Sequence, residues 1–163
     1  MALRDATTDD LDAILRIHNE AIATSLAIWM DEPDDLAERY RWFEEHAALA
    51  FPILVWDEDG AVVGYGTYSG WRARSGYRFT VEDSVYIDQS FHGRGIGRAI
   101  VTELIARARA QGMHSMLADI EASNTPSITL HESLGFVREG TLCQIGTKFG
   151  TWLDLAILRL PLE

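Results

Sequence analysis

The segment His92-Gly93-Arg94-Gly95-Ile96-Gly97-Arg98 alternates glycine with larger residues and carries two arginines. Glycines at this spacing let the backbone bend so that successive N–H groups converge on an anion, while Arg94 and Arg98 add positive charge. A helix starting here would aim its positive N-terminal end at the same point. A phosphate group suits such a loop; the plainer alternative is a glycine-rich turn. Two nucleotide loops fail on spacing, because Arg98 stands where a dinucleotide loop needs its third glycine and no Gly-Lys is followed by Ser or Thr. Arg72, Arg74 and Arg78 form a second cluster beside Trp71 and Tyr77. Guanidinium groups among aromatics suit a carboxylate-bearing small molecule, or else pair with the abundant surface carboxylates. Cys143 has neither a neighbouring base nor an electropositive helix start, which points to a structural residue rather than a nucleophile.

These groups need elements to hold them. The short run Ala2 to Ala6 predicts a strand, and the cap candidates Thr7-Thr8-Asp9-Asp10 precede Leu11, Ile14, Leu15, His18 and Ile22 at helical spacing. His18 falls on that apolar face with no carboxylate or cysteine spaced to join it, which predicts a packing histidine. After the break Asp31-Glu32-Pro33-Asp34-Asp35, residues 36–48 predict a second helix with Trp42 and Phe43 inward. Residues 52–56 and 61–68 predict a hairpin turning at 57–60. Residues 80–87 alternate, with Val81, Val85 and Ile87 on one face and Thr80, Glu82, Ser84 and Tyr86 on the other. A helix is predicted over 97–111 and a strand over 114–120. Asn124-Thr125-Pro126 predicts a short helix capped by Thr125, with Pro126 first inside it. Strands over 136–143 and 152–160 complete an α/β (α+β) arrangement, a sheet covered on both faces.

The glycine loop, the strand end Ser84-Val85-Tyr86-Ile87, Asn124 and Leu130-His131-Glu132-Ser133-Leu134-Gly135-Phe136 together resemble the GNAT superfamily of acetyl-CoA-dependent N-acetyltransferases. The stretches from Trp71 to Glu82 and from Gly146 to Leu155 narrow the likeness to its phosphinothricin and methionine sulfoximine or sulfone branch. The resemblance runs nearly end to end and implies the GNAT fold, a mixed, mostly antiparallel twisted sheet, in a single domain over residues 1–163. It implies acetyl-CoA as cosubstrate, contacted by Val85, Tyr86, Ile87, Gly93, Arg94, Gly95, Ile96, Gly97, Arg98, Asn124 and Ser133. The amino acid acceptor would meet Arg72, Ala73, Arg74, Tyr77, Arg78, Glu82, Asp83 and Ser84. Acetylation needs a neutral amine, so Glu82 is the expected general base; Asp83, on the opposite face by alternation, is placed less directly. A backbone N–H from the Val85–Ile87 segment would face the developing oxyanion. His131 stands where many relatives carry tyrosine, and is open to a role as general acid, as a CoA contact or as a packing residue. Trp29 and Trp152 resemble positions near the substrate cavity. His92 replaces the usual Gln or Arg at the loop's start. Arg74 is closer to the phosphinothricin enzymes, whereas Arg78 and Lys148-Phe149-Gly150 are closer to the sulfoximine and sulfone enzymes.

Composition bounds the remaining possibilities. The 163 residues include 47% hydrophobic and 24% charged side chains, with 13 Gly and 4 Pro, which suits one hydrophobic core and excludes collagen-like and disordered classes. A formal net charge of -11 argues against nucleic acid and anionic membrane as partners. One cysteine and no Cys or His pair at zinc spacing argue against an intrachain disulfide or a metal. The opening residues lack a leader pattern, so a cytoplasmic protein is expected. A homodimer with the substrate cavity near the subunit boundary is a further expectation from the resemblance. The competing readings are a GNAT enzyme acting on another amine, such as a protein N-terminus or polyamine, and a non-catalytic acyl-CoA sensor.

Overall fold

Glycines in the third strand decide how closely a helix can approach the sheet. The computed structural model describes residues 2–163, with β1 (Ala2–Asp5), α1 (Leu11–Thr24), α2 (Leu36–Ala48), β2 (Ile53–Glu58) and β3 (Ala61–Gly70). Then follow β4 (Thr80–Ile87), α3 (Ile96–Ala110), β5 (Ser115–Glu121), α4 (Thr125–Ser133), β6 (Val137–Lys148) and β7 (Thr151–Pro161). A Cβ on Gly66 would stand 2.4 Å from Cγ2 of Ile100 and 3.1 Å from the Ser84 carbonyl oxygen. Only glycine lets α3 lie this close to β3.

The seven strands run in the order β1-β2-β3-β4-β5-β7-β6. All neighbours are antiparallel except β4 and β5, which α3 connects as a crossover. On one face α3 and α4 cover a core of Tyr68, Val81, Ile100, Leu104, Met116 and Leu158. The other face buries Leu11, Ile14 and Ile17 of α1 against Val55, Val62 and Tyr65, with Trp42 and Phe43 packed alongside. Helices thus cover both faces, the layering that two-sided strand burial requires.

Caps explain where the helices begin. Asp35 and Glu38 form a reciprocal box at the start of α2, with bonds of 2.8 and 2.7 Å. At α4 the cap is Asn124 rather than the expected Thr125: its Oδ1 accepts from the Ser127 N–H at 3.3 Å, and Pro126 moves to the second helical position. Asparagine outcompetes threonine here because its longer side chain returns to the helix while Thr125 takes helical geometry.

Two polar groups correct the expected core. His18 has a carboxylate close by, since Asp34, brought in by the loop before α2, places Oδ2 3.3 Å from Nε2 while Tyr65 Oη lies 2.9 Å from Nδ1. Burial and the Arg39 charge, against Asp34, push the His18 pKa down to about 4, so it packs as a neutral ring. Lys148, at the end of β6, is 2% exposed and donates to the carbonyls of Ile22, Ser25 and Ile28 at 2.6, 2.8 and 2.5 Å. Cys143, by contrast, is exposed on β6.

Candidate active site

Strands β4 and β5 pair only over Thr80–Glu82 and Ser115–Leu117. Beyond Glu82 they part, leaving the β5-facing edge of β4 without a strand partner. Two adjoining cavities fill the gap. The larger, about 730 Å³, runs from the Thr24–Ala27 segment past Val85–Gln89 to the glycine loop and α4. The smaller, about 250 Å³, is lined by Glu82, Asp83 and Ser84 of β4, Ala118–Glu121 of β5, His131 of α4 and Ala27–Trp29. Val85 and Tyr86 line both. A long ligand in one therefore meets a small ligand in the other at the middle of β4.

The glycine loop has the form its sequence suggests, with one change. Gly93 and Gly95 take φ of +75° and +81°, left-handed geometry that other residues adopt only with strain. Gly97 lies instead inside α3, where a Cβ would be 3.3 Å from Cδ2 of Leu130, so its small size serves helix packing. Gly95 caps α3 without a side-chain bond, which leaves the N–H groups of Ile96, Gly97 and Arg98 in the open first turn, facing a cavity that all three line. A diphosphate fits this cradle. Arg98 lines it too and donates to Ser133 Oγ at 2.7 Å, tying α3 to the end of α4. Arg94 turns away: its guanidinium lies 4.6 Å over Phe91 and donates to the Ser90 carbonyl at 3.3 Å. His92 contributes to the cavity wall and has Nε2 2.8 Å from the Ile87 carbonyl. Asn124 lines both cavities, whereas Ser133 reaches the larger one only through Arg98.

Alternation along β4 puts Glu82 and Asp83 on opposite faces, yet both border the smaller cavity because it passes through the gap between the strands. Burial, with the charges of Asp119 and Asp83, pushes the Glu82 pKa up to about 7. A carboxyl at that value exchanges protons readily near neutrality. Asp83 is buried and faces His131, whose Nε2 lies 3.0 Å from Asp83 Oδ2 and whose Nδ1 lies 2.8 Å from the Ser127 carbonyl. Burial disfavours a charged ring, but Asp83 outweighs it and raises the His131 pKa above 6.5. An imidazolium here donates from both nitrogens at once.

The arginine segment lies at the rim rather than inside. Arg72 stacks 4.3 Å over the Trp71 ring and 5.9 Å from Tyr77, and its charge reaches Asp119. Arg78 folds back, 4.6 Å over Phe79 with a 3.0 Å bond to the Ser75 carbonyl. Arg72, Ala73, Arg74, Tyr77 and Arg78 line neither cavity. Reading the sequence missed Asp119, Glu121 and Ser127, and also the Thr24–Ala27 segment. The signal for Asp119 and Glu121 was present in the β5 alternation, where they fall opposite Met116, Ala118 and Ile120 of the core.

A sheet opened between parallel β4 and β5, with a left-handed glycine turn at the mouth and an acidic cavity beside it, offers a long anionic ligand and a small one a common meeting point. The chain belongs to the acetyltransferase (GNAT) family, whose model matches residues 13–136. Among curated relatives it is 47% identical to an L-methionine sulfoximine/L-methionine sulfone acetyltransferase of Pseudomonas paraeruginosa, covering 99% of this chain and 95% of that one. It is 37% identical to the phosphinothricin N-acetyltransferase of Alcaligenes faecalis, covering 99% and 82%. A Salmonella typhimurium structure solved with its cofactor acetyl-CoA superposes with a TM-score of 0.98 at 43% identity, over 100% of this chain and 94% of that one. The chain is accordingly an acyltransferase, and the expected fold and branch likeness hold.

Proposed function

We propose that this protein transfers the acetyl group of acetyl-CoA directly to the α-amine of a small amino acid such as methionine sulfoximine, methionine sulfone or phosphinothricin. The carrying observation is the place of Glu82, a half-buried carboxyl in the small cavity that meets the large one at Val85–Tyr86, where burial and the charges of Asp119 and Asp83 push its pKa up to about 7. The fit of the glycine cradle to a diphosphate and the printed substrates of the relatives support the same reading.

In this reading the diphosphate rests on the loop from Gly93 to Gly97, Arg98 and the start of α3, with Asn124 on the facing wall and Arg94 supplying backbone only. Glu82 takes one proton from the acceptor's ammonium and so frees its lone pair to attack the thioester carbonyl. A C–N bond forms and the C–S bond breaks. Of the three ammonium protons one goes to Glu82, one ends on the departing thiolate and one stays on the amide nitrogen. The unpaired edge of β4 at Val85–Ile87 supplies the N–H for the oxyanion. His131 has both ring nitrogens engaged, and we assign it to holding Asp83 and the cavity wall rather than to proton delivery. Arg72, on its Trp71 platform, is the arginine nearest the acceptor's carboxylate.

A homodimer belongs to the same proposal. The β6–β7 hairpin exposes Leu142, Ile145, Phe149 and Trp152, between 46% and 66% each, and apolar side chains gathered on one hairpin suit a second copy. Sedimentation at twice the 18.2 kDa chain mass tests this.

The function is tested by thiol release from acetyl-CoA with methionine sulfoximine, methionine sulfone, phosphinothricin, methionine and spermidine as separate acceptors. Turnover with the first three and little with spermidine is expected, with kcat/KM falling as pH drops through about 7. Glu82→Gln should lower kcat by about 10²–10⁴-fold. Preference for spermidine would assign a different amine, silence with all five despite CoA binding would point to an unlisted amine or to a sensor, and full turnover by Glu82→Gln across the pH range would remove the base.

A further inference from the structure

Asp119 occupies a place that neither the glycine loop nor the arginine segment explains. Glu82 and Leu117 are partners in the parallel pair, so alternation sets Glu82 and Ser84 of β4 and Leu117, Asp119 and Glu121 of β5 on one face. That face carries the acceptor end of the site. The Asp119 carboxyl is coupled to both halves of the proposed machinery: the Arg72 charge and a hydrogen bond from the Trp71 side chain act on it, and its own charge acts on Glu82. It lines the small cavity, and its Oδ1 is buried with no hydrogen-bond partner. A buried carboxylate oxygen without a donor is costly and marks a carboxyl that its own fold does not fully satisfy.

We propose that Asp119 is a positioning residue of the transfer site, fixing the Trp71–Arg72 rim and turning its carboxyl to the small cavity so that the acceptor's ammonium is held between Asp119 and Glu82. This rests on the amino acid acetyltransferase reading above. Two carboxylates facing one ammonium explain why the cavity can be acidic while its rim carries arginine: the amine end and the carboxylate end of one small zwitterion are received on opposite sides.

The charged and titratable groups around Glu82 are Asp83 and Tyr86 on its own strand, Asp119 and Glu121 from β5, His131 from α4 and Arg72 from the rim. Of these, Asp119 is the largest charge acting on Glu82 after burial itself. Its removal therefore has a defined sign: with one negative neighbour fewer, the ionised form of Glu82 is favoured and its titration moves to lower pH.

The test uses the whole protein with ¹³C-labelled glutamate side chains, the Glu82 signal being assigned by its loss in Glu82→Gln. In Asp119→Asn the Glu82 midpoint should fall by about half a pH unit, and Asp119→Glu should keep it near the original value. With methionine sulfoximine as acceptor, Asp119→Asn should raise its KM about tenfold with little change in the KM for acetyl-CoA, since one charge-assisted hydrogen bond is lost at the acceptor end alone. An unchanged Glu82 midpoint, or an acceptor KM unchanged, in a variant that melts like the original overturns the proposal. Asp119→Ser serves the same comparison if the asparagine variant does not fold. The titration needs no turnover, so a protein that acetylates none of the acceptors sinks the functional reading and with it the ammonium's place between the two carboxyls, whereas an unmoved Glu82 midpoint in an active enzyme sinks the role of Asp119 alone.

Discussion

Replacing Lys148 with methionine keeps most of the side-chain volume and removes the ammonium that three backbone carbonyls share. Ile22 lies in the last turn of α1 and Ser25 is its C-cap, so two of those carbonyls belong to the negative end of a helix dipole. The third, from Ile28, turns the chain toward Trp29. Each bond to a charged donor contributes about 1.5–3 kcal/mol, and methionine leaves all three acceptors, those of Ile22 and Ile28 buried and that of Ser25 partly so, without one. Relief of the lysine's own desolvation offsets part of this, which brings the net loss to about 3–4 kcal/mol, in line with breaking one side of a buried charged cluster. For a domain of this length that corresponds to a fall of roughly 6–16 °C in Tm at about 2–4 °C per kcal/mol. Because Thr24–Ala27 walls the larger cavity, acetyl-CoA should also bind more weakly. Thermal melting by circular dichroism, paired with calorimetric titration of acetyl-CoA, reads both effects. A Tm within about 2 °C of the original and an unchanged Kd would refute the account of Lys148 as the clamp of this wall.

Gly146→Ala should displace Trp29, because a Cβ there would stand 2.2 Å from the indole ring; the expected outcome is altered Trp29 fluorescence and a raised acceptor KM, with melting lowered by about 1–3 kcal/mol of overpacking. The His131–Asp83 pair should stabilise the fold in a pH-dependent way. Its folded-state pKa lies above 6.5, so the contribution is complete below that value and is lost as pH rises through the folded value. Melting curves should therefore separate the original protein from His131→Gln most at about pH 6 and less in alkali, and a gap that widened with pH would contradict the imidazolium.

How much could be read beforehand varied with the range of the interaction. The helices over 36–48 and 80–87's alternation rest on local periodicity, and both ends agree with the sequence reading. The cap of α4 moved by one residue because two adjacent side chains can both cap, and local pattern does not choose between them. The glycine loop was legible because left-handed geometry leaves a residue-type signature, although Gly97 carried a packing role that the same signature hides. Arg74 and Arg78 are expected to meet the acceptor because guanidinium groups beside aromatics suit a carboxylate and the family likeness places them there, whereas a 3₁₀ turn at Ser75–Tyr77 sends Arg78 back onto its own backbone. The β5 alternation puts Asp119 on the site's face without showing that it acts on Glu82, and Asp34 beside His18 and Lys148 under α1 act through contacts that no spacing rule announces.

The order of synthesis gives the Lys148 clamp a temporal meaning. The cavity wall at residues 24–28 and the glycine loop emerge from the ribosome well before the residue that fastens the wall, and β5 finds its second neighbour only when β7, the last strand, has been made. A nascent chain that ends before β6 therefore carries the loop without the lysine that fastens the wall and without the strand that flanks β5 on its far side.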